Sequence, residues 1–259
     1  MATHGLEQSQ IKQFHSAGYI VLPGVLTASE CAQLRQVIQN DLEPLVGPAE
    51  FEADMGYPGA PANRDVSGGD TPRRLLHAYA RNDSLKSLAQ HPVLGAWLKV
   101  LLDCANPMLS QCHHNCVMTK HPGFSSATLW HQDIRYWSFD RPELISAWFA
   151  LGTEDASRGA LQVIPASHQE NIDRGRLDSA LFLRPELAVN RPLIECAQVV
   201  NLNAGDLLFF HCRLFHAAGQ NQSSQVKLSP VFTYHAEDNL PIPGTRSERL
   251  PSIALQSAE

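Results

Sequence analysis

The chain has 259 residues, of which 44% are hydrophobic and 18% charged, enough apolar material for a sizeable core and ordinary for a globular protein. A net charge of −6 and a pI near 6.0 exclude a global basic field for nucleic acid or anionic membrane, and no apolar run approaches the roughly 20 residues that span a bilayer. The opening MATHGLEQSQ lacks the basic-then-apolar profile of a signal peptide, so the six cysteines read as thiols of a cytoplasmic protein rather than a disulfide framework.

The first predicted element is a helix in LEQSQIKQFHSAG, with Leu6, Ile11 and Phe14 at near-helical spacing and a stop at Gly18. A short strand, YIVLPGV, follows. TASECAQLRQVIQNDLEPL then begins with Thr27 and Glu30 in capping-box register and carries Leu34, Val37, Ile38 and Leu42 on one face. Residues 45–74 are rich in Gly, Pro and Asp and too long for a plain turn, which predicts a mobile loop or lid. A further helical stretch covers about 83–102, interrupted at His91-Pro92.

From residue 106 the texture changes to short apolar runs at 108–119, 127–132, 143–151, 159–164, 194–200, 206–211 and 226–234, punctuated by Gly, Pro, Asn and Asp. Such a series argues for an all-β sandwich or barrel of jelly-roll type. The expected organisation is one domain over 1–259: a mostly helical cover (1–105), a jelly-roll core (106–235) and a C-terminal tail (236–259). The composition gives no sign of the oligomeric state.

QCHHNCV concentrates Cys112, His113, His114 and Cys116. Sulfur and imidazole suit zinc, but a second Cys/His pair at finger spacing is missing. Strand alternation would also put His113 on the opposite face from Cys112, His114 and Cys116. Buried thiols and polar wall residues are the plainer reading. The same alternation groups His114, Cys116, Met118 and Lys120 on one face.

Three stretches fit His-x-Asp/Glu: His131-Gln132-Asp133, His168-Gln169-Glu170 and His235-Ala236-Glu237. The second begins a polar loop and the third lies in a trailing polar segment. Only His131 and Asp133 sit in an early strand, with Trp130, Tyr136 and Trp137 beside them to wall a pocket. Spacing of i, i+2 on extended backbone points both side chains the same way. Further on, GDLLFFHCRLFHAAGQNQS ends an apolar strand in His211 and His216. A jelly roll can bring a late strand beside an early one. Two imidazoles and one carboxylate on one side of a metal would leave three open positions, the facial arrangement of non-haem Fe(II) oxygenases.

WHQDIRYW, ELISAWFALG, GALQVIPASH and GDLLFFHCRLFHAAGQNQS, in that order, resemble the phytanoyl-CoA dioxygenase family from about residue 106 to 235. The resemblance implies a double-stranded β-helix of cupin-like type with an N-terminal helical cover, and Fe(II)- and 2-oxoglutarate-dependent hydroxylation of a small molecule using O₂. It implies His131, Asp133 and His216 as the iron ligands, with His211 in a non-ligand position. An Asp at position 133 also implies oxidation rather than halogenation, because halogenating relatives have a small residue there.

The family's arginine for the distal carboxylate of 2-oxoglutarate falls at Lys227, and its serine at Ala218. A buried unpaired carboxylate is costly, so some cation must answer it. Lys227 supplies a point charge rather than a planar fork; if it were merely a solvated strand residue, Arg158, Arg213 or Lys120 would be the alternative. Met118, His114 and Trp148 are further cosubstrate candidates, although a tryptophan in an apolar strand is more often simply core. Arg135 is the candidate substrate contact, and Arg64, Arg73, Arg74 and His77 form either an anion-greeting cluster or a solvated basic turn. Two other readings remain open: a cupin-like dioxygenase or isomerase that does not use 2-oxoglutarate, and a non-catalytic small-molecule-binding barrel.

Overall fold

The computed structural model of the protein describes residues 5–255. Helix α1 (Gln8–Ala17) is closed at its start by reciprocal bonds between Glu7 and Gln10, and at its end by Gly18, whose φ of 83° is left-handed. No other residue fits there, since a Cβ on Gly18 would lie 2.5 Å from the His168 ring. Strand β1 (Tyr19–Leu22) follows, then α2 (Ala28–Leu42), capped by Thr27 and Glu30 as their spacing predicts.

The Gly/Pro-rich stretch from residue 45 to 74 is not a free lid throughout. Strand β2 (Ala49–Phe51) and strand β3 (Pro72–Leu76) pair within it and extend a sheet edge, leaving a shorter irregular excursion between them. The anchor is buried polar chemistry that the turn-forming composition concealed. Glu52 Oε2 accepts from Ser126 Oγ (2.5 Å), Arg73 donates to Ser126 and Thr128, and the Arg73 guanidinium lies 3.6 Å from Glu52.

Helices α3 (Ala78–Arg81), α4 (Asp83–Ala89) and α5 (Pro92–Leu101) complete the cover, with Pro92 in the first turn of α5 where its missing N–H is harmless. The strands that follow are β4 (Pro107–Lys120), β5 (Thr128–His131), β6 (Leu144–Phe149) and β7 (Leu161–Val163). Short helix α6 (Arg191–Glu195) precedes β8 (Gln198–Val199), β9 (Leu207–His211), β10 (His216–Ala218), β11 (Lys227–Ala236) and β12 (Ile253–Ala254).

Two antiparallel sheets result. The larger runs β1-β9-β6-β11-β4-β3-β2, with β12 also on β4; the smaller runs β5-β10-β7-β8. Strands β6, β9 and β11 are buried along their whole length because both faces are covered. On β6 and β9, Ile145, Ala147, Phe149, Leu207 and Phe209 pack under the helices with Phe14, Trp97 and Leu98. The alternate residues Trp148, Leu208 and Phe210 pack between the sheets with Val163 and Val231. This is the jelly roll with a helical cover that the strand series predicts.

Two local departures matter for the site. Asn115 opposes Phe232 and Ser110 opposes Thr233, so residues 111–114 bulge out of the β4–β11 ladder. The run holding both late histidines is also two strands, not one. His211 ends β9 in the larger sheet, and the chain crosses before His216 opens β10 in the smaller one. All six cysteines are free thiols, and no helix among the described residues is long and apolar enough to cross a membrane.

Candidate metal centre

His131 and His216 are direct cross-strand partners of β5 and β10 in the smaller sheet. Their ring centroids lie 4.2 Å apart. Asp133 lies two residues beyond the end of β5, at the start of a 3-10 turn (Asp133–Tyr136) reached through the extended backbone of Gln132. The turn folds its carboxylate back under both rings: Oδ1 is 3.7 Å from His131 Nε2 and 3.6 Å from His216 Nε2. All three donor atoms lie within 4.8 Å of one another, and among the described residues this is the one such group of metal-binding type.

The hydrogen bonds fix the tautomers. His131 Nδ1–H donates to the Leu129 carbonyl (2.8 Å) and His216 Nδ1–H to the Leu214 carbonyl (3.0 Å). A carbonyl only accepts, so both protons sit on Nδ1 and both Nε2 lone pairs face inward. Asp133 is 2% exposed, and its Oδ2 is buried without a hydrogen-bond partner. Two neutral lone pairs and a carboxylate converging out of water repel one another unless a cation lies between them. The donor set therefore fits a divalent ion. Burial, with the Arg135 cation nearby, holds the His131 imidazole well below its usual range, which keeps it in the ligating form.

The three donors line a cavity of about 200 Å³ between the sheets. His114 Nδ1 lies 3.3 Å from Ser146 Oγ and 3.5 Å from Asp133 Oδ2, and burial pushes it down to about 4. Strand parity fails beside it. Because residues 111–114 are bulged, His113 reaches the same cavity as His114, stacked on Trp137 with centroids 4.9 Å apart. Met118 and Lys120 line the cavity as alternation predicts. The Cys/His cluster makes no metal site: Cys112 Sγ points to the Leu250 carbonyl and His113 Nε2 to Ser247 Oγ.

At the far end, Lys227 and Trp148 also line the cavity, and Lys227 is not a solvated strand residue. Its Nζ lies 2.9 Å from Oε2 of Glu154, which is 1% exposed. Trp148 Nε1 donates to both Glu154 oxygens and Ser229 Oγ to one of them, at 2.6 Å. Glu154 escapes sequence reading because GTEDASRG looks like any polar turn. The available signal is only that a buried lysine needs an acid somewhere. Across the ladder, Lys120 is the register partner of Lys227, and its ammonium donates to the Ser126 (2.8 Å) and Gly219 (2.6 Å) carbonyls. Burial, then Lys227 and Arg73, push it down to about 7.

The remaining candidates divide. Arg135 lies outside the cavity lining: the 3-10 turn swings it to the Ala180 carbonyl (2.8 Å) and over the Phe182 ring (3.7 Å). Arg73 and Arg74 do line it, sharing Glu50, whereas Arg64 pairs with exposed Asp54. Arg158 is taken by Asp155 and Arg213 by the Glu170 carbonyl. His211 faces the helices, bonded to Glu143 at 2.9 Å. His168 meets the His15 carbonyl and His235 meets Ser252, so neither other His-x-Glu pair approaches the centre.

The sequence model of the family described as phytanoyl-CoA dioxygenase (PhyH) matches residues 14–229. A probable phytanoyl-CoA dioxygenase of Caenorhabditis elegans is 23% identical, covering 98% of this chain and 84% of its own. An ectoine dioxygenase of Stutzerimonas stutzeri is 22% identical over 88% of this chain and 76% of its own. Among solved structures, EctD from S. alaskensis with bound Fe superposes with a TM-score of 0.78 at 20% identity, covering all of this chain and 89% of that one. The non-heme alpha ketoglutarate dependent carbocyclase SnoK gives 0.70 at 21%, covering 98% and 94%. At these identities the structural likeness is one of fold.

Proposed function

This chain belongs to the phytanoyl-CoA dioxygenase family, and from that premise we propose that it is an Fe(II)- and 2-oxoglutarate-dependent dioxygenase that hydroxylates a small molecule, with His131, Asp133 and His216 as the iron ligands. The observation that carries the reading is the pair of inward Nε2 lone pairs set against an orphaned, buried carboxylate. When bound, Fe(II) with 2-oxoglutarate and O₂ supplies the oxidising power that turns C–H into C–OH as the keto acid becomes succinate and CO₂. The chain holds and aims. The Leu129 and Leu214 carbonyls lock the two imidazoles in orientation. Ser146, itself within 3.4 Å of Thr233, steadies His114 beside Asp133. Met118 and Trp148 form the apolar walls between the metal end and the cationic end, where Lys227, with Lys120 opposite, would meet the distal carboxylate. Six free thiols suit a reducing compartment, and the cytoplasm is the proposed place of action.

Two measurements test this. Mixed anaerobically with Fe(II) and 2-oxoglutarate, the protein is expected to develop a visible absorption band from keto-acid chelation, and on admission of O₂ to release succinate. Metal uptake without either signal would leave a cupin-like metal protein and remove the cosubstrate.

The second concerns pH. A carboxylate held between Lys120 and Lys227 favours protonated Lys120, which sits near 7 without it. Binding at pH 8 must therefore take up a proton, and affinity for 2-oxoglutarate should fall as pH rises through 7. A fall of roughly tenfold per pH unit is the limit for one obligatory proton. Calorimetry in two buffers of different ionisation heat reads the proton directly, and Lys120→Met should abolish it. Proton-neutral binding at pH 8 would remove Lys120 from the subsite.

A further inference from the structure

We propose that the substrate carries one net negative charge, a carboxylate, and that Arg246 at the rim of the metal cavity receives it. The inference rests on the oxygenase reading of the site and adds the substrate class.

Charge balance in a confined space carries the argument. Five cations line the cavity. Arg73 and Arg74 are matched by Glu52 and Glu50, and Lys227 is matched by Glu154. Asp133, a divalent ion and a doubly charged cosubstrate leave one negative charge in total, which Lys120 answers. Arg246 is then the cation left over. Among the described residues it makes no ion pair or side-chain hydrogen bond; its acidic neighbour Glu248 is already engaged by the Gly244 N–H at 2.7 Å.

The guanidinium is also positioned. Arg246 opens a 3-10 turn whose next residue, Ser247, is 3% exposed. Ser247 Oγ accepts from the Ser138 N–H (2.8 Å) and meets His113 Nε2 (2.8 Å). That clamp ties the turn to the bulge of β4 and to the segment after Asp133, so the backbone under Arg246 is fixed beside the metal end. Its charge bears on His113. The rings of Trp137 and Tyr136, which also line the cavity, give an apolar flank for the carbon atoms between anion and metal. An exposed guanidinium beside apolar walls and a neutral histidine (burial pushes His113 down to about 3) selects an oxyanion over an amide of the same shape. A phosphate dianion would overshoot the single charge available.

The test uses the anaerobic Fe(II)–2-oxoglutarate complex and three probes of equal chain length, hexanoate, hexanamide and hexyl phosphate, with binding read by ligand-observed NMR and by perturbation of the chelate band. Hexanoate is expected to bind at least about tenfold more tightly than hexanamide and more tightly than hexyl phosphate, the tenfold being one charge-assisted bond. Arg246→Gln should erase that preference, and Arg246→Lys restore part of it, with the 2-oxoglutarate affinity unchanged in both. Equal binding of hexanoate and hexanamide, tighter binding of hexyl phosphate, or a preference that survives Arg246→Gln overturns the assignment. Failure of the wild-type protein to bind 2-oxoglutarate would instead sink the oxygenase reading, so the two failures are distinguishable.

Discussion

Asp133→Ala is expected to abolish metal-dependent turnover while leaving the apoprotein folded. Loss of a residue that only orients a metal ligand typically lowers affinity or activity by roughly 10- to 100-fold, and loss of a ligand itself should exceed that. The stability readout separates ligand from scaffold. Divalent metal at about 100 times its dissociation constant adds about 2.7 kcal/mol to the wild-type fold, a melting rise of roughly 5–10 °C for a chain of this size. The variant should show no such rise. Without metal, the substitution removes a carboxylate whose Oδ2 has no partner, so the apoprotein should melt within a few degrees of wild type. A variant that kept both the metal-induced rise and succinate release would end the assignment of Asp133.

How much of the fold and the site is legible in the sequence depends on how local each interaction is. Capping and periodicity placed α1, α2, α4 and α5, because Thr27, Glu30, Gly18 and Pro92 act through the local backbone. The His131/Asp133 pair is readable for the same reason, since only the extended backbone of Gln132 separates the end of β5 from the turn that Asp133 opens. Its third member is not. Spacing left His211 and His216 as alternatives, and only the resemblance chose between them; the physical difference is that the chain changes sheets between the two. The bulge at 111–114 breaks strict alternation, which is why His113 also faces the cavity. Arg135 leaves the cavity wall because the chain turns at Asp133, which the residue types there do not announce. Glu154, Glu52 and Arg246 were illegible for a common reason. Each owes its importance to residues far away in sequence, buried donors for the two acids and the shared cavity wall for Arg246, and its own neighbourhood is an ordinary polar turn.

Lys227 poses the sharpest separable question, because one side chain is asked to hold the fold and to meet a cosubstrate. Lys227→Met leaves Glu154 buried with only Trp148 and Ser229 as donors. Removing one partner of a buried pair costs about 3–5 kcal/mol, so melting should fall by roughly 6–20 °C. The double variant Lys227→Met/Glu154→Gln takes the stranded charge away, keeps an acceptor for Trp148 and should recover most of that loss. Cosubstrate binding should not recover with it, because the cation is still missing. Glu154→Gln alone makes the opposite change: it frees the Lys227 ammonium from its competitor, so affinity for 2-oxoglutarate should rise several-fold at low salt while stability falls. Melting curves and 2-oxoglutarate titrations on these three variants decide the matter. If the double variant binds the keto acid as wild type does, Lys227 serves only to neutralise Glu154, and the distal carboxylate must lie on Lys120.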